Sequence, residues 1–138
     1  MADAPRWFDE GLAEYFGISE LTKTELRYGL VPDRHPSRLD NIRSAFMGEL
    51  TKPLPLDRLL TTEHEQFMSP RQAAVNYAHA WSFAHFLGSN PGGQRILRDY
   101  FQALRAGKSI TAAYQQVFGK LDIKVVEAEW REYVGKLR

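Results

Sequence analysis

Apolar side chains in this chain recur at helical rather than alternating spacing, and prolines, glycines and short polar residues fall where helices start and stop. Phe8, Leu12, Tyr15 and Phe16 follow an i, i+4, i+7, i+8 pattern behind Pro5, a favoured first-turn residue, with Gly17 placed as a C-cap. This spacing predicts a helix over residues 5–17. Residues 18–35 read as irregular, with a short extended piece around Leu26–Val31. Pro32 ends that piece, because proline cannot donate to a sheet ladder. Pro36 can open a second helix that carries Leu39, Ile42, Phe46 and Leu50. KPLPLDRLL then holds two prolines and a short apolar turn.

The second half is more regular. Ser69-Pro70-Arg71-Gln72 has the pattern of a capping box with proline in the first turn. The helix it opens runs to about Leu87 and is apolar on nearly every face, which predicts a central, buried element. Asn90-Pro91-Gly92-Gly93 reads as a turn. Ile96, Leu97, Tyr100, Phe101 and Leu104 make the next amphipathic helix, ending at Gly107. Ser109 caps a short helix with Ala113, Tyr114, Val117 and Phe118. Asp122 caps the last, with Ile123, Val126, Trp130, Tyr133, Val134 and Leu137 on one face. No repeat and no linker divides the chain. The expected architecture is mainly α: one helical domain over residues 1–138, of about six helices, with a small β element near residues 23–31.

Composition narrows the class. Hydrophobic residues are 43% and aromatic residues 12% of 138 positions. A chain of this size buries about two-thirds of its unfolded surface, which excludes disorder and collagen-like structure. Lys plus Arg is 18 and Asp plus Glu is 17, a net charge of +1 that gives no electrostatic case for nucleic acid or an acidic membrane. The absence of cysteine excludes disulfides, thiol catalysis and cysteine-ligated metal. The first fifteen residues lack the basic start and apolar stretch of a signal peptide. No window approaches the roughly 18 apolar residues of a membrane span. The compartment stays open. Only four residues precede the first helix, an abrupt start expected of a chain cut from something longer.

By periodicity alone the candidate residues have plain roles. Glu10 lies off the apolar stripe and reads as solvent-facing; Glu14, one turn later, reads the same way. Tyr77 reads as a buried aromatic on a core helix. His79 and His85 read as partly buried helix residues with hydrogen-bond partners. Arg95, Arg98 and Arg105 form a solvated helix edge.

The string PRWFDEGLAEYF, residues 5–16, resembles the P-x-W-L-N-E-G-x-A segment of gluzincin zinc peptidases, especially the peptidase-MA-like group. In those enzymes an earlier helix carries HExxH, whose two histidines bind zinc and whose glutamate is the general base. The glutamate of the second motif is the third zinc ligand. The resemblance makes Glu10 that ligand, with Asp9 where the family commonly has Asn, and Asp9 and Glu14 supporting it from outside the ligand set. NYAHAWSFAHFLG, residues 76–88, is similar to a later family helix whose leading tyrosine hydrogen-bonds the oxyanion of the tetrahedral intermediate. The matching residue is Tyr77. The tail from Gly92 to Leu137 also resembles the family, so the likeness implies the C-terminal helical subdomain of a thermolysin-like peptidase.

The departure from the pattern is the missing HExxH. His64-Glu65 is followed by Gln66, Phe67 and Met68; His79 and His85 are on different helix faces; and only nine residues precede Glu10. A catalytic zinc site needs three protein ligands and an open position, and this chain offers one. The expectation is the C-terminal portion of a zinc-dependent metallopeptidase, inactive alone, with zinc in the complete protein and none held by this chain. Its partners would be a peptide or protein substrate and the missing HExxH segment. An apolar groove beside Glu10 would receive that segment and favour self-association of the chain alone. The alternative is a non-catalytic helical module that binds a protein or peptide, with a closed surface around Glu10.

Overall fold

A computed structural model describes residues 4–31 and 37–138. The elements are α1 (Arg6–Gly17), β1 (Glu20–Leu21), β2 (Leu26–Arg27), α2 (Arg38–Phe46), α3 (Leu56–Thr61), α4 (His64–Phe67), α5 (Ala73–Gly88), α6 (Pro91–Arg105), α7 (Ile110–Val117) and α8 (Ile123–Lys136). The fold is mainly α. The described residues form eight helices rather than six because α3 and α4 are real but too short to show a helical period. Pro32, His35 and Pro36 lie outside the described residues.

Helix α5 is the axis, packed upon by α1, α2, α6 and α8. Its small residues Ala78, Ala80 and Ala84 let neighbours approach closely, and Trp81, Phe83 and Leu87 fill the space between them. On one side Trp7 meets Phe8, Phe83, Tyr100 and Phe118 at ring-centroid distances of 5.5, 5.7, 5.2 and 6.0 Å. On the other, Trp130 packs edge-on to Phe46 and stacks on His79.

Several boundaries differ from the sequence expectation, each for a local reason. Helix α1 buries Trp7, Phe8, Gly11 and Tyr15, while Phe16 is 53% exposed. The buried stripe is thus rotated toward Trp7, the larger side chain. Pro5 is the N-cap of α1 rather than a first-turn residue. Helix α2 starts with a capping box: the Ser37 hydroxyl accepts from the Asp40 N–H, and the Asp40 carboxylate accepts from the Ser37 N–H. It stops at Phe46, short of Leu50, because Gly48 takes φ +79° and the Glu49 and Gly48 N–H groups donate back to Ser44 and Ala45. At α5 the expected capping box is absent; the Ser69 carbonyl instead accepts from the Gln72 and Ala73 N–H groups in a backbone turn. Asn90-Pro91-Gly92-Gly93 opens α6, with Asn90 as N-cap accepting from the Gly93 N–H and Pro91 in the first turn. Ser109 and Asp122 cap α7 and α8 as expected.

The β element is an antiparallel pair, Glu20↔Arg27 and Leu21↔Leu26, tightened by the Thr22 hydroxyl accepting from the Glu25 N–H. It begins earlier than residues 23–31. Both strands are exposed, so a cross-strand ladder without a core face holds only these four residues.

Arg43 on α2 ties the C-terminus of α8 down. Its guanidinium donates to the Val134 carbonyl from Nε and Nη2 at 3.2 and 2.9 Å, and also to the Leu137 carbonyl. Those carbonyls lack intrahelical partners. Replacing Arg43 with Ala is expected to cost about 1–2 kcal/mol and to fray the last turn of α8. Thermal unfolding, with faster amide exchange confined to Val134–Lys136, would check this.

Candidate functional site

The site is set by the crossing of α1 and α5. A Cβ on Gly11 would lie 2.6 Å from the Ala80 carbonyl oxygen and 3.4 Å from the Ala84 Cβ. Only glycine lets the two backbones come this close. Glu10 adjoins Gly11, and Tyr77 precedes Ala80 by one turn of α5. Glu10 and Tyr77 thus sit on the two helices that meet at this crossing.

Arg38, the first residue of α2, joins the two helices. Its Nε and Nη2 donate to Glu14 Oε2 and Oε1 at 2.8 and 2.7 Å, a bidentate pair. The same guanidinium carbon lies 5.0 Å from the centroid of the Tyr77 ring. Phe67 packs edge-on to that ring at 5.2 Å. The Tyr77 ring thus has both a cation and an aromatic ring packed against it, and its hydroxyl donates to the Met68 sulfur at 3.3 Å. Thioether sulfur is a weak acceptor. The hydroxyl can therefore exchange this bond for one to a stronger acceptor at small cost.

Sequence reasoning singled out Glu14 and Tyr77 but not the Arg38 between them. The signal was the Ser37-x-x-Asp40 box, which sets Arg38 at the first helical position. Glu14 is not simply solvated; its side chain is 23% exposed and both carboxylate oxygens accept from Arg38.

Glu10 sits one turn before Glu14 on the same face of α1. It is half-buried rather than solvent-facing, and accepts from Arg6 Nη1 at 2.7 Å. Asp9 is exposed and borders a different cleft, lined by Pro5, Arg6, Thr62, Glu63, His64 and Ile110. Partial burial raises the Asp9 carboxyl above the usual carboxylate value, and Arg6 opposes this.

Of the histidines, His85 has two partners. Its Nε2–H donates to the Gly29 carbonyl at 2.7 Å, which leaves Nδ1 to accept from the Tyr133 hydroxyl at 2.6 Å. Burial lowers its pKa, with the Gly29 bond opposing, and so favours this neutral form. His79 differs from expectation. It is fully buried and neither ring nitrogen has a hydrogen-bond partner among the described residues.

Among the described residues no group of three or more His, Cys, Asp or Glu could hold a metal ion. Glu10 supplies one carboxylate, already paired with Arg6, so these residues do not complete a zinc site. Among the described residues, apolar side chains are exposed around the C-terminal end of α1: Phe16, Leu21, Leu26 and Tyr28 are 53%, 81%, 57% and 56% exposed. Among the described residues no helix is long and apolar enough to cross a membrane.

No curated protein and no solved structure matches the chain. A family match covers residues 1–106, from the start of the chain to just past the end of α6, and so includes Glu10, Glu14, Arg38 and Tyr77 together with the Gly11 crossing. On that match the chain belongs to the family described as a protein of unknown function, DUF1570.

Proposed function

We propose that these residues form the C-terminal part of a zinc-dependent metallopeptidase of the gluzincin type, with Tyr77 as the oxyanion donor and Glu10 as one metal ligand. The supporting observation is the Tyr77 side chain: its ring is packed against Arg38 and Phe67 while its hydroxyl rests on a weak acceptor. That arrangement suits a donor that must meet a developing negative charge without reorganising. In this reading Tyr77 gives a hydrogen bond to the carbonyl oxygen of the peptide as it becomes an oxyanion. Glu10, at the same helix crossing, presents its carboxylate to a metal whose histidine ligands come from a HExxH segment outside these 138 residues.

The test uses the whole product of the reading frame that encodes this chain. Glu10→Gln is expected to remove bound zinc, read by metal analysis, together with peptide hydrolysis. Tyr77→Phe is expected to keep the zinc and lower kcat about 10²–10³-fold. A wild-type protein with neither zinc nor hydrolytic activity overturns the reading.

The exposed group Phe16, Leu21, Leu26 and Tyr28 favours a second reading, a non-catalytic module that binds another protein or peptide through this end of α1. Under that reading Glu10→Gln and Tyr77→Phe change nothing, whereas Leu21→Ser with Leu26→Ser abolishes association measured by size-exclusion chromatography.

A further inference from the structure

We infer that Arg38 is a positioning residue for Tyr77, held in place by Glu14, so that α1, α2 and α5 jointly aim the Tyr77 hydroxyl. The inference rests on the peptidase reading above. Among the described residues Arg38 hydrogen-bonds Glu14 and not the proposed metal ligand or the Tyr77 hydroxyl, and it acts through the ring face that it covers at 5.0 Å.

The geometry separates this role from a plain surface ion pair. A surface pair between flexible side chains fixes little. Here the guanidinium is held on three counts. The capping box at Ser37 and Asp40 sets the backbone of Arg38. Both Glu14 carboxylate oxygens accept from it. Its open face lies on the Tyr77 ring. Phe67 also packs against the ring, edge-on at 5.2 Å with an interplanar angle of 81°. Phe67 is itself fully buried, so close packing restrains that contact. Arg38 is the partly exposed contact of the two, and its place is set by Glu14, four residues after Glu10. Any shift of α1 relative to α5 would move Glu10, Glu14 and, through Arg38, the Tyr77 ring together. The arrangement couples the proposed ligand helix to the proposed oxyanion donor.

Lysine cannot reproduce this. It carries the charge but lacks the planar fork that donates to two carboxylate oxygens while stacking on a ring. The experiment compares steady-state kinetics of the full reading-frame product as wild type, Arg38→Lys, Glu14→Gln, Tyr77→Phe and the Arg38→Lys/Tyr77→Phe double variant, with a thermal midpoint for each. Arg38→Lys and Glu14→Gln are each expected to lower kcat about tenfold while leaving KM within about twofold, because misplacing a donor weakens the transition state rather than ground-state binding. In the Tyr77→Phe background Arg38→Lys is expected to cause no further loss, since the hydroxyl it aims is gone. An equal loss of kcat in both backgrounds overturns the inference, because Arg38 would then act through general stability. Unchanged kcat in Arg38→Lys overturns it too, and leaves the peptidase reading standing. A wild-type protein without hydrolytic activity removes both. If Arg38→Lys fails to fold, Glu14→Gln carries the same comparison.

Discussion

Gly11→Ala is expected to destabilise the protein by about 2–3 kcal/mol, although alanine is the better helix former. The added methyl would sit 2.6 Å from the Ala80 carbonyl oxygen, a backbone atom inside α5 that cannot turn aside. Removing a glycine from a helix interior returns at most about 1 kcal/mol of propensity, so the overlap wins. The relief available is to push α1 off α5, which would loosen the packing of Trp7, Phe8 and Tyr15 and separate Glu10 and Glu14 from Tyr77. Gly17, in the last turn of the same helix, is the control: nothing lies within 4 Å of its Cβ position, so Gly17→Ala should be neutral or slightly stabilising. Chemical denaturation of the two variants would check this. Equal midpoints would show that the crossing tolerates a Cβ.

Stability is also expected to fall with acid through His79. Burial, with a smaller push from Arg131, lowers its pKa from 6.5 to about 3. The ring is stacked on Trp130 at 4.2 Å with no side-chain or backbone partner at either nitrogen among the described residues. The folded value lies below the unfolded one, so protons bind the unfolded chain first. The contribution is intact above pH 6.5 and is lost as the pH falls from 6.5 toward 3, at about 1.4 kcal/mol per pH unit. At pH 5 that is about 2 kcal/mol, a large part of the stability of an ordinary domain. His85, also lowered by burial, contributes in the same direction. His79→Leu is therefore expected to flatten the stability profile between pH 6.5 and 4 without abolishing its slope. Thermal midpoints of both proteins across that range provide the check, and parallel profiles would contradict it.

Much of the fold was legible along the chain. The capping residues Ser109 and Asp122 and the apolar run of α5 rest on interactions within a few residues. Glycine at 48 was equally local, yet Phe46 and Leu50 extended the period past it; a positive φ outweighs an apolar match. Helix α4, with four residues, was beyond periodicity altogether. The stripe on α1 was misplaced because Trp7 and Gly11 are buried for what they meet on α5 and α6, which spacing within α1 does not contain.

The candidate site divides the same way. Glu10, Glu14 and Tyr77 were visible as residues with possible chemistry, because local strings carry them. Arg38 was not, since its value lies in two partners, Glu14 and Tyr77, that are 24 and 39 positions away along the chain. His79 and His85 looked alike as histidines on one helix. Tertiary packing left His79 without a hydrogen-bond partner among the described residues and gave His85 two, because their faces of α5 meet different neighbours. The sequence by itself determined a helical domain and its turn chemistry, through forces acting over one or two helical turns. The tertiary structure alone decided which side chains meet, because close packing brings together residues whose separation along the chain carries no record of their contact.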